Sequence, residues 1–306
     1  MNLDLSTIER GVWPAMLTPF KSDLSVDFDG LASLVDFYVG HGVHGLLSTC
    51  WSSETEYLSF DEALEINRQT VRLTQGRIPV AATPHAMAAA ETPSLEERIQ
   101  MLFDIGVTYV VLVAARLAEP DQSDEELCDR LEAMPWDGLG IYESPSPYHR
   151  LLSAQAMSRI AATGRFFFHK DTSCNIDSIR AKVDAVRGTP LRFYNAHSPT
   201  LLDSLRWGGN GYCGVGANFH PEVYVELCDC VGRDPSRAES IQHFLNTVET
   251  MSGNNTYPSN AKVHLQRRGV RIGTQTRITC PFTPESEKLL DGLALCYEEH
   301  YGPMCR

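Results

Sequence analysis

Phe166-Phe167-Phe168-His169-Lys170 runs straight into Asp171-Thr172-Ser173. Three phenylalanines in succession, too few residues for a helix and bounded by polar ones, read as a strand buried on both faces. Lys170 then stands at the C-terminal end of that strand, where barrel enzymes gather their reacting groups. An amine in a largely apolar site loses solvation of its charged form, so its pKa is expected to fall and the amine to attack a carbonyl near neutral pH. The chain holds five lysines, Lys21, Lys170, Lys182, Lys262 and Lys288. Three of them lie in segments with helical spacing and Lys21 in a polar loop, so Lys170 alone emerges from a strand. The plainer reading is a strand-end lysine whose ammonium reaches solvent.

Seven further apolar runs flank this one: Val12–Leu17, Gly45–Thr49, Ile78–Thr83, Tyr109–Ala114, Leu139–Glu143, Leu191–Asn195 and Gly211–Val215. Between them lie helical periodicities such as Leu31/Leu34/Val35/Tyr38 and Ile176/Ile179/Val183/Val186. Ser59-Phe-Asp-Glu62 is a capping box, and Thr283-Pro284-Glu285 reads as a helix start. Alternation of strand and helix without a hairpin signal implies a parallel sheet covered by helices, and eight repeats imply a closed (β/α)8 TIM barrel. After Phe219-His220-Pro221 only helical segments follow, about Glu222–Cys230, Ser236–Met251, Tyr257–Gln266 and Pro284–His300. The expected division is a barrel over 1–232 and a helical C-terminal extension over 233–306.

With 43% hydrophobic and 21% charged residues, the 306-residue chain has the composition of a soluble globular protein. A net charge of −13 argues against a nucleic-acid binder. Nine cysteines include no C-x-x-C pair that would cage zinc. No apolar stretch has signal-peptide or membrane-spanning length, so a cytoplasmic protein with reduced thiols and no membrane partner is expected.

Side chains at the strand ends are the candidates for chemistry: Thr18, Ser52 and Ser53, Tyr142, Lys170, Asn195 and Asn218. A lysine nucleophile beside a phenol makes chemical sense, because imine formation needs protons delivered to and removed from a carbinolamine.

Here a resemblance becomes specific. Gly11-Val-Trp-Pro-Ala-Met-Leu-Thr-Pro-Phe20 resembles the opening strand of the dihydrodipicolinate synthase/N-acetylneuraminate lyase family. Ile141-Tyr142-Glu-Ser-Pro145 resembles its tyrosine motif, and His169-Lys170-Asp-Thr-Ser173 its Schiff-base lysine motif. Gly208-Gly-Asn-Gly211 with Gly214-Val-Gly-Ala-Asn218 resembles its glycine-rich stretch. Four motifs in order, from about Val12 to the C-terminus, carry the likeness. It implies a class I, metal-independent lyase or aldolase without cofactor, Lys170 binding pyruvate or the 2-oxo end of a longer acid and Tyr142 shuttling protons. It implies Gly214 in the substrate site and a homo-oligomer, dimer or tetramer.

The departures are as informative. Where the family has G-T-T-G-E or G-S-T-G-E to hold the pyruvate carboxylate, this chain has Cys50-Trp51-Ser52-Ser53-Glu54. Ser52 keeps one hydroxyl, and a local shift would let Ser52 and Ser53 act as the pair. The tyrosine pair expected after the fourth strand is Ala114-Ala115-Arg116-Leu117, and an arginine for the second substrate is Pro147. Genuine dihydrodipicolinate synthesis is therefore not expected. Trp51 and Arg116 are candidate contacts to a different acidic or aromatic aldehyde portion. The alternative is that Trp51 fills space and Arg116 pairs with Glu119.

The leading expectation is carbon–carbon bond cleavage or formation, or dehydration of a 2-keto-3-deoxy sugar acid, since one enamine serves both reactions. A metal-dependent lyase is a poorer reading, because His41-Gly-Val-His44 lies at a helix-to-strand turn. The remaining alternative is a non-catalytic homologue that binds 2-oxo acids or regulates.

Overall fold

All eight apolar runs contribute a strand, and the computed structural model describes them within residues 11–85, 93–252 and 256–302. The strands are β1 (Gly11–Val12), β2 (Leu46–Leu47), β3 (Val80–Ala82), β4 (Tyr109–Val113), β5 (Leu139–Tyr142), β6 (Phe166–Asp171), β7 (Arg192–Asn195) and β8 (Gly211–Tyr212). They form one parallel sheet in the order β1-β8-β7-β6-β5-β4-β3-β2. The sheet curls until the residues after β1 meet β2, Met16 N–H donating to Leu47 O at 3.0 Å and Leu47 N–H to Pro14 O at 3.1 Å. Regular pairing in β1 stops after Val12 because Pro14 has no N–H to give.

A helix follows each strand: α1 (Phe28–Gly40), α2 (Phe60–Thr74), α3 (Leu95–Asp104), α4 (Asp124–Glu132), α5 (Ala154–Ala162), α6 (Ile176–Ala185), α7 (Leu201–Trp207) and α8 (Pro221–Cys230). The capping box at the start of α2 forms in both directions, Ser59 N–H to Glu62 at 2.9 Å and Glu62 N–H to Ser59 Oγ at 3.1 Å. Ser94/Glu97 and Ser123/Glu126 repeat it on α3 and α4. Three more helices end the chain: α9 (Pro235–Ser252), α10 (Ser259–Arg267) and α11 (Pro284–Tyr301), the last opened by Thr283 and Pro284 as its sequence predicts. Their apolar faces join those of α1 and α8 in one core, which includes Leu31, Tyr38, Tyr224, Leu245, Leu265 and Leu290. Among the described residues no helix is long and apolar enough to cross a membrane, and the eight described cysteines are free thiols.

Inside the curl, Trp13 lies edge-on to Phe168 at 5.0 Å between ring centres, with Tyr194 and Tyr109 at 5.7 and 5.9 Å. Gly45 is required beneath it, since a Cβ there would come within 2.3 Å of the indole. This aromatic floor fills the interior and leaves the carboxyl ends of the strands as the place for polar chemistry. Side chains alternate along a strand, so Phe168 and Lys170 point inward while His169 and Asp171 point outward, toward the helices.

Candidate active site

Tyr142 and Lys170 are register partners at the ends of β5 and β6. The Lys170 Nζ stands 4.3 Å from the centre of the Tyr142 ring, over its face. Both side chains are buried. A lysine that merely vents its ammonium into solvent is thereby ruled out. Burial pushes the Lys170 ammonium down, yet Tyr142, Cys213, Cys50 and Tyr212 around it push the other way and leave the group above its ordinary value. The expected fall of this pKa is not what the surroundings produce: the site is apolar, but the ionisable phenols and thiols that face the amine favour its charged form as they themselves deprotonate. Burial also raises Tyr142, against the pull of Lys170 and of a hydrogen bond with Ser144, so the phenol is neutral. Cys213, pushed up to about 12 by burial, is a neutral thiol.

The segment after β2 supplies the next wall. Cys50 is extended, Trp51–Ser53 form a single 3-10 turn, and Glu54 is left-handed at φ 58°. Ser52 Oγ is bonded to Ala15 O at 2.8 Å and to the Tyr257 hydroxyl. Ser53 Oγ is spent on the loop itself, reaching Met16 O at 2.7 Å and Ser48 O at 3.1 Å while accepting from Cys50 N–H at 3.2 Å. Both hydroxyls are thus engaged within the protein, that of Ser52 with a residue from beyond the barrel strands and that of Ser53 within its own loop. Thr18 Oγ1 donates to Ser53 O at 2.7 Å and steadies the same turn. Gly214 is hemmed in, a Cβ there falling 2.4 Å from Tyr212 Oη. Asn195 turns away to Thr200 at 2.9 Å.

Near the strand ends a small cavity of about 20 Å³ lies between Cys50, Trp51, Thr83, His85, Arg116 and Ser144. Trp51 is 39% exposed at its rim. Arg116 pairs with Glu56 at 3.4 Å rather than with Glu119, and Ser146 holds the same Glu56 oxygen. Burial and three nearby arginines push His85 down to about 3, so its ring is neutral. His149 sits outside, bonded to Thr172 at 2.9 Å.

On the outer side of the same two strands lies a group that the sequence reading missed. Lys182, from α6, inserts its ammonium between Glu143 Oε1 at 2.6 Å and Asp171 Oδ2 at 2.7 Å, all three buried. His169 Nε2 is 3.9 Å from Glu143 and 4.0 Å from Asp171. Glu143, His169 and Asp171 are spaced to hold a metal ion, but the Lys182 ammonium already bridges the two carboxylates. His41 and His44, expected to be poor ligands, do not converge: one bonds Phe37 O, the other accepts from Val12 N–H. A signal for Lys182 was present, since it falls three residues after Ile179 and beside Val183 on the apolar stripe of α6.

The family model described as the dihydrodipicolinate synthetase family matches residues 9–296. This chain belongs to that family. The 4-hydroxy-tetrahydrodipicolinate synthase of Ralstonia nicotianae is 28% identical over 272 residues, covering 88% of this chain and 90% of its own. That of Methanocaldococcus jannaschii is 25% identical over 297 residues, covering 93% and 97%. Among solved structures, a monomeric dihydrodipicolinate synthase variant superposes with a TM-score of 0.84 at 21% identity, covering 96% of this chain and 98% of that one. A prophage protein of the family from E. coli, in complex with pyruvate, also gives 0.84, at 20% identity with 97% and 99% covered. Those structural likenesses concern the fold.

Proposed function

We propose that this chain is a Schiff-base lyase or aldolase that acts on pyruvate or a longer 2-oxo acid through Lys170. The proposal takes the chain as a closed (β/α)8 barrel over 1–232 with its helical extension over 233–306. The observation that carries it is the buried Lys170 ammonium 4.3 Å from the Tyr142 ring, at the carboxyl ends of β5 and β6. Relatives named 4-hydroxy-tetrahydrodipicolinate synthases, and a protein of the same fold in complex with pyruvate, support the same reading.

In this reading the amine, once deprotonated, adds to the C2 carbonyl. The carbinolamine loses water with a proton supplied through Tyr142, and the resulting iminium draws electrons from C3. Loss of a C3 substituent as an aldehyde, or of a C3 proton followed by hydroxide from C4, gives retro-aldol cleavage or dehydration. Ser52 supplies a hydroxyl to the substrate carboxylate and Gly214 the close approach beside it. The mouth between Trp51 and Arg116 receives the rest of the molecule. The Ala114–Leu117 segment and Pro147, in place of the family's tyrosine pair and arginine, direct the reading away from genuine dihydrodipicolinate synthesis. A homo-oligomer, dimer or tetramer, is part of the same proposal.

The test is reduction with borohydride in the presence of pyruvate, followed by intact mass and peptide mapping. An adduct on Lys170 is the expected result. No adduct with pyruvate or with a panel of longer 2-oxo acids would overturn the enzymatic reading in favour of a binding or regulatory homologue.

A further inference from the structure

Four buried side chains from four parts of the chain meet behind the Ser52 turn: Tyr38 on α1, Ser52, Asn218 after β8 and Tyr257 just before α10. Their protons can be placed one by one. The Ala15 carbonyl can only accept, so the Asn218 amide must face it with its nitrogen, at 2.9 Å. The amide oxygen then faces Tyr38, whose hydroxyl donates to it. The second amide hydrogen goes to the Tyr257 hydroxyl at 2.9 Å. Having accepted there, Tyr257 directs its own proton at Ser52 Oγ, and Ser52 directs its proton at Ala15 O, 2.8 Å away. The chain of donors thus runs one way, from Asn218 through Tyr257 to Ser52.

We propose that Tyr257, contributed by the segment after α9, is a positioning residue that fixes Ser52 as a hydrogen-bond donor to the carboxylate of a bound 2-oxo acid. The inference rests on the reading of Ser52 given under the proposed function. Its basis is the double satisfaction of Ala15 O, which holds both the Asn218 amide and the Ser52 hydroxyl. When a carboxylate arrives, the Ser52 proton can swing to it and the carbonyl keeps a donor, so no buried group is orphaned. The Tyr257 proton meanwhile occupies a lone pair of Ser52 Oγ. It prevents Ser52 from presenting a repelling lone pair to the anion, and it polarises the O–H toward stronger donation.

The experiment titrates pyruvate against borohydride-trapped adduct in the full chain and in Tyr257→Phe, Ser52→Ala and the double variant. Tyr257→Phe is expected to raise the half-saturating pyruvate about ten-fold and leave maximal trapping unchanged. In the Ser52→Ala background the same change is expected to add nothing, because Tyr257 acts through Ser52. An unchanged half-saturation in Tyr257→Phe, or an effect that persists without Ser52, overturns the inference while leaving the lysine chemistry standing. Absence of any adduct in the unaltered protein overturns the lysine reading itself. If Tyr257→Phe does not fold, 3-fluorotyrosine placed at 257 keeps the shape and strengthens the donor. A shift to lower half-saturating pyruvate then supports the role, and no shift overturns it.

Discussion

Lys182 Nζ lies 2.6 Å from Glu143 Oε1 behind the very strands that carry Tyr142 and Lys170 on their inner side. The same ammonium holds Asp171 at 2.7 Å, so one cation ties the ends of β5 and β6 to α6. Glu143 Oε1 also accepts the Leu152 N–H at 2.8 Å, which fastens the far end of the loop that carries Ser144 and Ser146. Lys182→Met would leave Asp171 and Glu143 buried side by side without the ammonium that bridges them. A loss of about 3–5 kcal/mol in urea unfolding is expected. Adding Glu143→Gln and Asp171→Asn should return most of it.

The cluster also predicts how stability follows pH. Burial and the neighbouring Asp171 hold Glu143 up at about 8 despite Lys182, against an ordinary 4.5. The folded carboxyl therefore keeps its proton where the unfolded one has lost it. Its contribution is complete below about 4.5 and is lost as pH rises to about 8. Asp171 behaves oppositely. Burial pushes it up, but His169 and Lys182 hold it below its ordinary 3.8, so its contribution is present above that value and lost in acid. Urea midpoints at fixed protein concentration should fall from pH 4.5 toward 8. Glu143→Gln should flatten that fall and leave the acid limb in place.

Because Lys170 is held above its ordinary value, the free amine is the scarce form at neutral pH. Its fraction grows about ten-fold per pH unit below the pKa. The initial rate of adduct formation with pyruvate should climb between about pH 6 and 9 without levelling. A plateau reached by neutral pH would mean that the empty site already holds a neutral amine.

Tyr142→Phe keeps the ring under Lys170 and removes only the hydroxyl. Turnover should fall by about 10²–10⁴-fold, the range for a lost proton-transfer group, while the trapped adduct still forms given time. Lys170→Ala should abolish the adduct altogether. Comparing adduct yield with turnover in the two variants separates the nucleophile from the proton shuttle.

Arg116 and Glu56 are exposed by 37% and 39% and form a single contact at 3.4 Å. Such a pair contributes little stability, so Arg116→Ala should change unfolding by about 0.5 kcal/mol or less. Its effect should appear in selectivity instead: kcat/KM for longer 2-oxo acids shifts, while half-saturation by pyruvate stays put.

The eight strands and the extension were legible because buried parallel strands leave uninterrupted apolar runs, as in Phe166–Phe168 and Tyr109–Val113. The placement of Lys170 and Tyr142 at strand ends was legible because each closes an apolar run. Tyr257 was not, since nothing local to a residue two positions before α10 announces that it reaches Ser52, 205 positions away. Lys182 and Lys262 were read as ordinary helical lysines. Their burial depends on carboxylates that arrive from distant loops, and side-chain periodicity carries no record of a partner. The direction of the Lys170 shift was misread for the same reason: the strand showed the low dielectric but not the hydroxyls and thiols that face the amine.

Glu54 bears on where this chain can be cut. One of its oxygens takes the Lys262 ammonium at 2.9 Å, and the other takes the backbone N–H groups of Arg277 and Ile278 at 2.6 and 3.0 Å. It does so from the left-handed residue that ends the Cys50–Ser53 turn. A truncation after residue 232 would keep every strand and lose the partners that shape that turn. The segment after β2 and the helices that follow the strands are thus jointly responsible for the shape of one turn, and any minimal version must carry both.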